Sequence, residues 1–325
     1  MKGPIAVIAA VVLLTAASAA DTGRPVKDFM LPSATDGALI RLSDYAGKVV
    51  LINWWRTSCP FSQKETPRLV GLYQKYRDKG LAIIGISAES DDGVDTVVPI
   101  PEYVKRSGVT WPIVLNDQAE FRREIFDPLA HKDSHTPANY LVSRSGQIVY
   151  LGLDRTPEKW PQLEDAVARA IAEPTPAAVS IRPAVLRPAP ALDLSDLDGK
   201  PFTLARFAGK PLVVNFFNVQ SCDFAGAVLA KLQHDYAARG LQVIGVDLFD
   251  EPAQARTCLT KYGATYPVLR GTGPAQVAWI GRTWSWATVF VTADGKVFKN
   301  IDESVPWGHE RQVFPRYAEY LVTRR

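Results

Sequence analysis

The strongest constraint on how this chain folds is that it repeats itself. Leu42-Ser-Asp-Tyr-Ala-Gly-Lys48 followed by VVLINWW returns as Leu204-Ala-Arg-Phe-Ala-Gly-Lys210 followed by PLVVNFF, setting Gly47 against Gly209 and Asn53 against Asn215 at an offset of 162. The stretch beginning Gly80-Leu81 matches Gly240-Leu241 at 160, Thr110-Trp111-Pro112 matches Thr265-Tyr266-Pro267 at 155, and Ser145-Gly146 matches Asp294-Gly295 at 149. The order holds while the offset shrinks, as it does when a duplicated unit loses residues from its second copy.

Within each copy apolar runs alternate with helical stretches. VVLINWW is continuous, β-branched and aromatic, the pattern of a strand buried on both faces. A helix is expected from Pro60 to Lys79, then the strand LAIIGIS, a second helical region, the strand IVL, a hairpin spanning NYLVS and QIVYLG, and a last helix from Pro157 to Ile171. Strands joined through helices give parallel pairs and the hairpin adds antiparallel ones, so each copy should be an α/β unit with a mixed sheet.

The chain opens with Lys2, an apolar run from Ile5 to Leu14 and small residues ending Ala17-Ser18-Ala19-Ala20. That layout predicts a secretory signal over 1–20. The apolar run falls short of the roughly 20 residues a membrane span needs. The expected organisation is a first domain at 21–172, a proline-rich linker at 173–190 and a second domain at 191–325, with the mature protein periplasmic or secreted. A net charge of +3 gives no reason to expect nucleic acid or stable membrane insertion. Four histidines at scattered spacing predict no metal site, and no glycine-rich phosphate loop or other cofactor signature occurs.

Three cysteines are too few for a disulfide scaffold, and in an oxidising compartment an odd number leaves at least one thiol over. Cys59 lies between the first buried strand and the first helix, with Pro60 suited to the first helical turn. Helix N-termini favour anions, so this placement favours a thiolate, the nucleophile of disulfide exchange. A buried, inert cysteine is the alternative.

The string Asn53-Trp54-Trp55-Arg56-Thr57-Ser58-Cys59-Pro60-Phe61-Ser62-Gln63-Lys64-Glu65-Thr66-Pro67 resembles the motif N-F-W-A-x-W-C-x-x-C-x-x-E-x-P of the TlpA-like and ResA-like exported thiol-disulfide oxidoreductases. Asn53, Trp55, Cys59, Glu65 and Pro67 match it, and the likeness runs on through GVTWPIVLN and Thr136-Pro137 to Gly146. The resemblance implies two tandem thioredoxin-like domains and assigns Cys59 as nucleophile. It implies that Pro137 is a cis-proline opposite Cys59, that Glu65 manages the thiol proton, and that Trp55, Pro60, Phe61 and Thr136 line the substrate path. A surface position for Glu65 is the alternative; for His135, two residues before Pro137, a surface-loop histidine is the favoured reading and a neighbour that lowers the thiol pKa the other.

The sequence departs from the family at Ser62, which replaces the resolving cysteine. A serine hydroxyl supports a thiolate by hydrogen bonding but does not resolve a mixed disulfide. The expected activity is therefore that of a one-thiol oxidoreductase acting on protein or small-molecule thiols and disulfides, with an external thiol as reductant. In the second copy Cys222 occupies the corresponding strand-to-helix region, Ala225 takes the place of the second cysteine, and Trp286 stands where Pro137 does. Cys258 lies in a stretch similar to that holding the resolving cysteine of the Tpx class of peroxiredoxins, and its spacing of 36 from Cys222 is similar too. The resemblance makes a Cys222–Cys258 disulfide plausible, either structural or catalytic, with two unpaired buried cysteines the other option. An AhpC/TSA-type thiol peroxidase is the second enzymatic reading, although the threonine that peroxiredoxins place three residues before the reactive cysteine is Arg56 in one copy and Val219 in the other. The third reading is a pair of non-catalytic binding modules.

Overall fold

A computed structural model describes residues 22–88, 98–115, 136–152, 159–177, 179, 181, 183, 185–283, 286–302 and 310–323. The segment expected to be a signal peptide and His135 lie outside these residues.

The strongest apolar run, β3 (Val49–Trp55), is buried at all seven positions, which requires cover on both faces of its sheet. It sits at the centre. On one side it pairs in parallel with β4 (Leu81–Ser87), which pairs in parallel with β5 (Ile113–Leu115). On the other it pairs antiparallel with β6 (Ala138–Val142), whose hairpin partner is β7 (Ile148–Gly152). The parallel connections run through α1 (Pro60–Tyr76) and α2 (Ile100–Ser107), and α3 (Trp160–Ala172) follows the hairpin. A short hairpin, β1 (Met30–Pro32) with β2 (Leu39–Arg41), bridges to the β5 edge through Ser33 and Val114.

The second copy rebuilds this plan. Here β10 (Leu212–Phe217) is flanked by parallel β11 (Gln242–Asp247) and antiparallel β13 (Ala287–Val291), with β12 (Val268–Arg270) and β14 (Val297–Asp302) outside them. The hairpin β8 (Leu194–Asp196) and β9 (Pro201–Phe202) joins the β12 edge and extends the sheet to seven strands. Its helices are α4 (Cys222–Tyr236), α5 (Pro252–Lys261), α6 (Gly273–Ile280) and α7 (Glu310–Thr323). The architecture is two tandem thioredoxin-like units, each a mixed central sheet flanked by helices.

Register shows how closely the units correspond. Asn53 stands opposite Gly85 and Asn139, and Asn215 stands opposite Gly245 and Thr288. A Cβ at position 85 would come within 2.4 Å of Ile113 Cδ1 and 2.9 Å of the Trp55 indole nitrogen, so any larger residue there must displace these side chains. Helices α1 and α4 share one burial pattern at an offset of 160, with Ser62, Glu65, Thr66, Leu69 and Leu72 inward in the first and Cys222, Ala225, Gly226, Leu229 and Leu232 inward in the second. Strands β3 and β10 keep the offset of 162, so two residues are missing from the turn between Phe217 and Cys222. That turn carries Cys59 in the first unit.

Candidate functional site

Cys59 is the N-cap of α1, its backbone extended at φ −83° and ψ 118°, with Pro60 in the first turn. Proline fits there because its missing N–H has no intrahelical partner to lose. The turn is pinned by Gln63, whose backbone N–H donates to the Cys59 carbonyl at 3.0 Å and whose side-chain amide donates to the Thr57 carbonyl at 2.7 Å. These bonds fix where the sulfur stands. It is half-buried, and the thiol donates to the Thr136 carbonyl at 3.3 Å. The Thr136–Pro137 peptide bond is cis, and both residues are buried at the start of β6.

The electrostatics of Cys59 are a contest. Burial pushes the thiol up, but hydrogen bonding from the Thr136 side chain, the backbone N–H groups of Ser62 and Phe61 and the Ser62 hydroxyl outweighs it, leaving the thiol below its ordinary value. The Thr136 carbonyl contact belongs to the protonated thiol. Once the proton leaves, the sulfur is an acceptor only, and the donors at the head of α1 hold it.

Ser62 faces inward, and its Oγ accepts from the Arg56 backbone N–H at 3.5 Å. Pro60 is exposed and Phe61 is 45% exposed, an apolar surface adjacent in sequence to Cys59. Trp55 departs from its expected place in the substrate path. It is 3% exposed and packs on Tyr103 at 5.0 Å between ring centroids, because it points into the core from a strand covered on both faces. Thr136 is buried as well.

Glu65 is inside the protein rather than on a solvated face. Its Oε2 accepts from Asn53 Nδ2 at 3.0 Å and its Oε1 from Asn139 Nδ2 at 2.6 Å, while Asn53 Nδ2 also donates to Asn139 Oδ1 at 2.9 Å. Asn139 escaped the sequence reading. The signal available was its place two residues after Pro137 on the strand paired with Asn53.

The second copy requires a correction. Cys222 does not correspond to Cys59; the helix register sets it at the position of Ser62, and Ala225 at that of Glu65. Cys222 is joined to Cys258 on α5 by a disulfide with Cα atoms 6.2 Å apart, and both residues are buried. Strand pairing puts Trp286 immediately before Ala287 as Pro137 precedes Ala138, opposite Phe216 and Trp54 respectively.

Comparison with known proteins matches residues 22–151 and 185–278 to the AhpC/TSA family. Thiol-disulfide oxidoreductase ResA of Bacillus thuringiensis subsp. konkukian is 27% identical over 130 residues, covering 40% of this chain and 68% of that protein. Protein DipZ of Mycobacterium bovis is 31% identical over 113 residues, covering 34% of this chain and 15% of that protein. Among solved structures, a thiol:disulfide interchange protein of the thioredoxin family from Chlorobium tepidum TLS aligns with a TM-score of 0.38 at 24% identity, over 43% of this chain and 99% of that one.

Proposed function

The chain belongs to the AhpC/TSA family, and from that premise we propose that it is an exported thiol-disulfide oxidoreductase working through the single sulfur of Cys59. The observation that carries this reading is the half-buried Cys59 thiol at the head of α1, held against Thr136 beside the cis-proline and drawn below its ordinary pKa. The 27% identity to a thiol-disulfide oxidoreductase over 130 residues supports the same chemistry.

The cycle needs two steps. The Cys59 thiolate attacks one sulfur of a substrate disulfide; the substrate S–S bond breaks, a Cys59–substrate disulfide forms, and the other substrate sulfur leaves as a thiolate that takes a proton from solvent. With serine at 62 the mixed disulfide waits for an external thiolate. That thiolate attacks the mixed disulfide on the substrate's sulfur, carrying the substrate away and releasing Cys59 as thiolate. Protein and small-molecule disulfides are the substrate class, with Phe61 and Pro60 as the apolar surface they meet. No cofactor enters either step.

The second unit serves as a non-catalytic partner domain in this reading. The Cys59 turn is shortened there, Ala225 replaces Glu65, Trp286 replaces Pro137, and the remaining two cysteines are tied to one another. The division into 21–172, a linker at 173–190 and 191–325, together with removal of residues 1–20 and a periplasmic or secreted location, completes the proposal. A disulfide between Cys222 and Cys258 suits an oxidising compartment. No helix among the described residues is long and apolar enough to cross a membrane.

The test is to mix protein holding a free Cys59 thiol and an intact Cys222–Cys258 disulfide with an aromatic disulfide that releases a coloured thiol. Cys59 should form the mixed disulfide faster than free cysteine does, and Cys59→Ala should release no colour. Equal release from both proteins would refute the reading.

A further inference from the structure

Three buried polar side chains from three different elements close on one another: Asn53 of β3, Glu65 of α1 and Asn139 of β6. Polar groups are costly to bury unless each finds a partner, and here both carboxylate oxygens have an amide donor. The positions relate directly to the site. Asn53 lies six residues before Cys59, Glu65 six residues after it, and Asn139 two residues after Pro137. Glu65 therefore joins the helix that carries the sulfur to the strand that carries the sulfur's carbonyl neighbour.

The second unit supplies an internal control. Its equivalent positions hold Asn215, Ala225 and Thr288, and Asn215 Nδ2 donates instead to Thr288 Oγ1 at 2.9 Å and to the Ala287 carbonyl at 3.3 Å. The same strands pair in the same register without a carboxylate. The architecture does not require the Asn–Glu–Asn triangle; it is kept in the copy with a free thiol and absent from the copy whose cysteines are joined.

We propose that Asn139, acting with Asn53, is a positioning residue for Cys59: by binding Glu65 it holds the head of α1 at a fixed distance from the Thr136–Pro137 turn. This deepens the oxidoreductase reading and rests on it. When Asn139 no longer donates, α1 loses a bond to β6, and the N–H groups of Phe61 and Ser62 are no longer held on the sulfur. The thiolate then loses support.

The test is the rate of Cys59 alkylation by iodoacetamide as a function of pH, measured beside thermal stability. Asn139→Thr, using the residue the second unit carries, and the isosteric Asn139→Asp should both raise the midpoint by up to about one pH unit, lowering the rate at neutral pH by up to about tenfold. Asn139→Gln, which keeps an amide donor, should recover part of the shift, and Asn215→Ala should leave the midpoint unchanged. Profiles for Asn139→Thr and Asn139→Asp that superimpose on the parent, even with lowered melting temperatures, would overturn the proposal and leave Asn139 purely structural. Alkylation reports the thiolate whether or not the protein exchanges disulfides. A midpoint shifted in the Asn139 variants while the parent fails to exchange disulfides thus counts against the oxidoreductase reading alone, and an unshifted one while the parent exchanges counts against the positioning role alone.

Discussion

Ser62 and Cys222 occupy the same inward-facing position of a duplicated helix, one in each unit. The first unit has its sulfur, Cys59, at the cap and a serine at the inner position. The second keeps a sulfur at the inner position, has a shortened cap turn, and has joined that sulfur to α5.

Restoring the inner sulfur should restore a two-thiol cycle. Ser62 lies one helical turn from Cys59 and is already oriented inward, so Ser62→Cys should form an internal disulfide with Cys59 under mild oxidation. Mass analysis would show loss of two hydrogens from the first unit, and reduction of an insulin disulfide with a recycling dithiol should outpace the parent. Two free thiols in Ser62→Cys under those conditions would contradict the inward orientation of Ser62 beside the sulfur.

The Cys222–Cys258 bridge should act on stability and leave Cys59 chemistry alone. It closes a loop with a sequence separation of 36, for which chain entropy gives about 3–4 kcal/mol of stabilisation. Urea unfolding of Cys222→Ala/Cys258→Ala should show a loss of that order, with the alkylation rate of Cys59 unchanged. A fall in Cys59 reactivity with stability preserved would instead make the bridge part of the redox site.

Asp247 predicts a stability that falls as pH rises. The residue is buried at the end of β11, where burial and the neighbouring Asp250 push its carboxyl up to about 7. Asp250 Oδ2 accepts from the Val219 backbone N–H at 2.6 Å, so the pair sits under the turn that precedes Cys222. An acid with a folded pKa above its unfolded one holds a proton in the folded state that the unfolded chain has released. Its stabilising effect is complete at acidic pH and is lost as pH climbs from about 4 towards 7. Between pH 5 and pH 8 the loss from this group should be roughly 2–3 kcal/mol. Asp247→Asn should flatten that slope in urea unfolding, and an identical slope in parent and variant would remove Asp247 as its source.

Much of the fold was legible in the residues. The duplication, the succession of strands and helices within each unit and the location of Cys59 at a strand–helix turn follow from apolar runs and matched landmarks. Three things were not legible. The two-residue shortening before Cys222 could be placed only once the burial pattern of α4 was known, since the sequence offset changes from 162 to 160 somewhere between Asn215 and Gly240. The burial of Trp55 agrees with a strand covered on both faces, but the motif resemblance that placed it in the substrate path gave no sign that this cover reaches the last strand residue. The Asn139 contact with Glu65 joins residues 74 apart in sequence, and an asparagine on a strand announces its partner only when the register is fixed.

Whether the turn ending at Cys59 presents a solvent-reachable thiolate is decided by the pH dependence of its alkylation in the otherwise unaltered protein. With Cys222 and Cys258 bridged, only Cys59 is free to react. A single reacting thiol is expected, with a midpoint below the value of about 8.5 for an unperturbed cysteine, moving upward when Ser62→Ala removes one of its donors. A midpoint at or above that value, or a thiol that fails to react until the protein unfolds, would refute a thiolate at this turn.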